Sequence, residues 1–110
     1  MIKVTIYETE TDTIRGFTVE GHANFAKRGS DIVCAGVSAV TFGMLNAIEA
    51  IAGLTLEVEQ GGEGGYLHWM VPNQLQGETF AKVQLLLQGM LVSLQTIERD
   101  YSDYIKITFK

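Results

Sequence analysis

Two side chains in this sequence are suited to covalent chemistry near neutral pH: Cys34, its one cysteine, and His22, one of two histidines and twelve positions earlier. A lone cysteine cannot form an internal disulfide, and its thiolate is a strong nucleophile once a neighbour takes the proton. An imidazole can take that proton and later give one to a leaving amine, which is how Cys-His pairs divide acyl transfer.

Cys34 follows the turn Arg28-Gly29-Ser30-Asp31. Ser and Asp are favoured at helix N-caps, and an apolar stripe begins just beyond them, so the thiol is expected in the first turn of a helix. Unpaired amides and the helix dipole favour a thiolate there by up to ~1 kcal/mol, or ~2 kcal/mol when partly buried. One pKa unit is about 1.4 kcal/mol, so the helix alone brings a thiol from about 8.5 only to roughly 7 or 8. A cationic imidazole would supply the rest. The polar stretch from Asn24 to Ser30 is long enough to fold His22 back over the helix start, and it can be imagined moving over a bound peptide. The amides of Cys34 and Ala35 are candidates to hold an oxyanion.

Several residues admit two readings. Asp31 either caps the helix by accepting from the Cys34 amide or orients His22 as a third catalytic group. Its negative charge would raise the thiol pKa, so the carboxylate is expected to point away from the sulfur or toward His22. Ser38, one helical turn after Cys34, either hydrogen-bonds near the thiolate or is simply small enough for close packing. Cys34 itself can be an inert core thiol beside Val33 and Val37. His68 falls opposite Leu67, Trp69 and Val71 on a strand and reads as a solvated histidine rather than a second base. No paired-cysteine spacing or HExxH helix points to a metal site, and no cofactor is implied.

The elements that must position these residues follow from periodicity. Alternation at Ile2, Val4 and Ile6, at Phe17 and Val19, at Leu54, Leu56 and Val58, at Leu67, Trp69 and Val71, and at Ile105, Ile107 and Phe109 predicts five strands with one buried face. Val37, Val40, Met44, Ile48 and Ile51 predict a helix from about Cys34 to Ala52, stopped by Gly53. Phe80, Val83, Leu87, Met90, Leu94 and Ile97 predict a second, from near Glu78 to about Arg99. The order β-β-α-β-β-α-β suits a two-layer α/β sandwich: one mixed, mostly antiparallel five-stranded sheet with both helices on one face. The glycine-rich segment Gly61-Gly62-Glu63-Gly64-Gly65 reads as a flexible hairpin, because no helix follows to make it a phosphate cradle.

With 110 residues there is room for a single domain spanning 1–110. The longest apolar runs, such as Leu85 to Leu87, are short and the N-terminus lacks a signal-peptide pattern, so a cytoplasmic chain without a membrane segment is expected. A net charge of −5 argues against tracking nucleic-acid phosphates and favours a basic protein or peptide partner.

Gly21-His22-Ala23 and Gly29-Ser30-Asp31-Ile32-Val33-Cys34-Ala35-Gly36-Val37-Ser38 closely resemble the signature of the bacterial ribosomal-processing cysteine protease family. The resemblance runs along the whole chain. It implies that Cys34 is the nucleophile and His22 the base, with Gly21, Asp31 and Ser38 supporting the site. It further implies a narrow endopeptidase, acting as a homodimer, that removes the short N-terminal extension of a large-subunit ribosomal protein, number twenty-seven in the bacterial series. Family substrates carry consecutive phenylalanines at the cut, which calls for an apolar pocket beside Cys34. Phe25, Met44 and Tyr66 are candidate linings. The competing readings are a non-catalytic ribosome-assembly module that binds the same protein and, further off, a redox protein using an external thiol.

Overall fold

The computed structural model describes residues 1–27, 29–62 and 65–110. Arg28 of the turn and the middle of the glycine-rich segment, Glu63 and Gly64, lie outside the described residues. In chain order the elements are β1 (Ile2–Glu8), β2 (Ile14–Glu20), α1 (Ile32–Ala52), β3 (Glu59–Gln60), β4 (Tyr66–Met70), α2 (Gly77–Asp100) and β5 (Ile105–Phe109). The five strands form one sheet in the order β3-β4-β2-β1-β5; β1 and β5 run parallel and the other pairs antiparallel.

Register explains the buried face. Val4 lies opposite Val19, which lies opposite Leu67; one step along, Ile6, Phe17 and Trp69 form the next row. Ile105 and Ile107 extend it across β5. Side chains alternate along a strand, so these rows share one face. That face packs with Val33, Val37, Leu45 and Ile48 of α1 and with Val83, Leu87, Met90 and Leu94 of α2 in one apolar core. The opposite face is polar: the Thr18 hydroxyl oxygen lies 2.9 Å from the Tyr7 hydroxyl and 2.7 Å from His68 Nδ1. His68 is therefore on the face away from the helices.

Three periodicity readings need correction. The buried stripe of α1 is Val33, Val37, Thr41, Leu45 and Ile48, while Val40 and Met44 are half-buried margins and Ile51 is 55% exposed. The polar Thr41 hid the true phase; it is tolerated in the core because its hydroxyl donates to the Val37 carbonyl at 2.8 Å. The alternating run Leu54 to Val58 is not a strand. Its apolar members rest on the core, but the ladder to β4 joins only Glu59 to His68 and Gln60 to Leu67. Phe109, at the far end of β5, is 48% exposed and not buried as its alternation predicts.

Side chains of α2 also tie the layers. Gln84 accepts from the Ile14 amide and donates to its carbonyl, both at 2.8 Å, and Glu98 accepts from the Ile107 amide at 2.7 Å. The Glu98 bond occupies an amide on the edge strand β5 that would otherwise invite another chain. By length and composition alone both helices would suit a membrane span, yet each lays its buried stripe on the sheet.

Candidate active site

The start of α1 is organised by one carboxylate. Asp31 is the N-cap, with extended backbone at φ −86° and ψ 108°. Its Oδ1 accepts from the amides of Val33 at 2.9 Å and Cys34 at 3.1 Å, while Oδ2 accepts from Phe25 at 2.9 Å and Ala26 at 3.2 Å. Burial pushes this carboxyl's pKa up, but the four amides, led by that of Cys34, together outweigh burial and hold it below its ordinary value. Of the two readings open from sequence, the geometry gives the cap. The same carboxylate also anchors the incoming loop.

Cys34 is then the third residue of α1, half-buried at the helix start. Its sulfur accepts a hydrogen bond from the Ala23 amide, N to Sγ 3.3 Å. Ala23 is buried and directly follows His22, so the residue pair singled out by spacing is brought to one place. The backbone leading there is unusual. Gly21 has φ +90° and Asn24 φ +57°, and an added Cβ on Gly21 would stand 2.5 Å from the Met1 carbonyl oxygen. That close approach accounts for the residue type at 21.

The amides expected to hold an oxyanion are not available. Cys34 N–H donates to Asp31 Oδ1, and Ala35 N–H donates to the Asp31 carbonyl at 3.0 Å. The reason is the cap itself, because Asp31 satisfies first-turn donors with both its side chain and its main chain. The donor that the structure aims at the Cys34 sulfur is the Ala23 amide.

A cavity of about 360 Å³ opens at this point. His22, Cys34, Asp31, Ser38 and Gly21 all line it, and its apolar wall includes Val19, Val37, Phe42 and Leu67. Tyr66 lines it as expected from sequence, but Phe25 and Met44 are not among the described lining residues. Phe25 instead packs edge-on against Tyr101 and Tyr104, with centroids 5.6 and 5.0 Å apart, and so pins the loop to the α2–β5 corner. Met44 is half-buried against the core. Sequence reading singles out neither Phe42, one helical turn beyond Ser38, nor Gly65, which packs against His22. A periodicity argument sees only the phase of Phe42, and a glycine-rich run gives no hint of which glycine is needed. Among the described residues, no three His, Cys, Asp or Glu side chains converge as metal ligands would.

Chemically the arrangement offers a thiol at a helix start, an amide donor on its sulfur, a histidine in the same cleft and an apolar wall beside them. Comparison with known proteins agrees with that chemistry. Residues 1–106 match the family described as cysteine protease Prp. The ribosomal processing cysteine protease Prp of Bacillus subtilis (strain 168) is 47% identical over 108 residues, covering 98% of this chain and 96% of that protein. Among solved structures, the ribosomal processing protease Prp from S. aureus with a covalently linked product peptide superposes with a TM-score of 0.90 at 38% identity, each chain covered completely. The same protease with a substrate peptide gives 0.82 at 37% identity, again over the whole of both chains.

Proposed function

This chain belongs to the cysteine protease Prp family, and from that premise we propose that it is an endopeptidase in which Cys34 attacks the peptide carbonyl and His22 moves the protons. The sulfur lone pair forms the C–S bond while the carbonyl π pair moves to oxygen. Collapse of that oxyanion expels the amine, which His22 protonates. Water, deprotonated by His22, then hydrolyses the thioester and releases the thiol. The observation that carries the reading is the position of Cys34 at the start of α1, with the amide next to His22 donating to its sulfur at 3.3 Å.

The proposed substrate is the short N-terminal extension of the basic large-subunit ribosomal protein numbered twenty-seven, cut after an apolar aromatic residue. The net charge of −5 supports a basic partner, and the wall of Val19, Val37, Phe42 and Leu67 supports an aromatic side chain beside the thiol. The proposal extends to a homodimer, for which the exposed apolar residues Leu85 and Val92 of α2 offer surface. Sedimentation of the native chain should then give twice the monomer mass.

The test of the activity is mass spectrometry of a peptide spanning the extension after incubation with the native chain, Cys34→Ala and His22→Ala. One defined cut by the native chain alone is expected. A peptide that stays intact while binding all three proteins would replace the protease reading with a binding role.

A further inference from the structure

The glycine-rich hairpin has no part in the chemistry described so far, yet one of its glycines touches the proposed base. Gly65 has φ +76°, and a Cβ added there would lie 2.7 Å from His22 Nε2, 3.0 Å from Cε1 and 3.5 Å from Cδ2. Real carbon contacts do not come that close, so any side chain at this position must displace the Nε2 edge of the imidazole.

The contact is built in by the sheet. Glu20 of β2 pairs with Tyr66 of β4, and one rung further the Gly21 amide donates to the Gly65 carbonyl at 2.8 Å. That extra rung places Gly65 directly across from the residue before His22. The chain then turns at Gly21, with φ +90°, and the ring comes back over the hairpin. Gly65 is thus held in register by a main-chain bond and kept bare by the ring above it.

We propose that Gly65 is a positioning residue for His22: its missing side chain is the seat of the imidazole, held there by the chain that leads into β4. The inference rests on the reading of His22 as the base. Placement of the ring is separable from that role, because the ring can be observed without turnover.

The experiment compares Gly65→Ala with Gly53→Ala in the full chain. Gly53 caps α1 with φ +73° and has nothing within 4 Å of an added Cβ. Both variants therefore carry similar backbone strain, but only one meets the ring. The first readout is the His22 ring Cε1–H resonance by NMR, which should shift in Gly65→Ala and stay at its native position in Gly53→Ala. The second is Cys34 alkylation against pH. Near pH 6, Gly65→Ala should react at least about tenfold more slowly than native, in line with the penalty for misplacing a catalytic group by an ångström. On a His22→Ala background the same substitution should change the rate by less than about twofold, since residues acting through one another are not additive. If Gly65→Ala folds poorly, Gly65→Asn relieves the backbone strain while keeping the Cβ. A native ring resonance in both Gly65 variants overturns the inference. Should His22→Ala alone alkylate like the native chain, the base assignment fails, and the resonance still decides where the ring is seated.

Discussion

The two helices begin in different ways. The start of α1 is gripped by Asp31, whose carboxylate takes amides from its own helix at Val33 and Cys34 and from the incoming loop at Phe25 and Ala26. The start of α2 has no side-chain cap at Gln76; its first residue, Gly77, has φ +61°, and Glu78 supplies the favourable charge. Glu78 also pairs loosely with Lys82 at 3.5 Å. Both helices are long and bury one apolar stripe each, so stability does not demand a tighter start for one than for the other. What differs is the cargo. The first turn of α1 carries the thiol, and its cap fixes that turn relative to the loop that brings His22.

The contrast breaks most severely at Asp31. Asp31→Asn keeps the shape but turns an amino group toward two of the four amides, leaving them facing another donor. The melting temperature is expected to drop by about 5–10 °C; an unchanged melt would mean the cap is dispensable. The same carboxylate gives the native chain an acid limb. Its folded pKa lies below the ordinary value, so its contribution is complete above the unfolded pKa and disappears as pH falls through the folded one. Thermal melts should therefore show a loss beginning below about pH 4 that is smaller in Asp31→Asn. The mildest effect belongs to α2. Gly77→Ala forces a side chain into the left-handed region with nothing nearby to clash, costing about 1 kcal/mol. Alkylation of Cys34 should be unaffected, and a change there would show the two helix starts to be coupled.

Local signals carried most of the architecture. The order of elements follows from periods of two and of three to four residues, and an Asp three positions before Cys34 is enough to suggest a cap. Several readings failed where the deciding partner is distant in sequence. The second oxygen of Asp31 goes to loop amides that no periodicity marks. Gly21 is required by the carbonyl of Met1, and Gly65 by a ring forty-three positions away. Thr41 concealed a stripe because its polarity is cancelled by a local bond to Val37. The run Leu54 to Val58 alternates like a strand because one side rests on the core, although its backbone does not join the ladder. The oxyanion assignment failed for a related reason, since a cap good enough to predict from sequence also uses up the amides it organises.

The parallel pairing of β1 with β5 puts Met1 and Lys110 at opposite ends of β1. Met1 presents its carbonyl to Gly21, and Ile2 lines the cavity, whereas Lys110 bonds to Ile6 and Glu8 at the other end of the same strand. That is about 20 Å away at the rise of an extended chain. A reporter peptide fused ahead of Met1 would thus be tethered beside the thiol at an effective concentration in the millimolar range. A weak substrate attached there becomes an intramolecular one, and an affinity handle is better carried on Lys110.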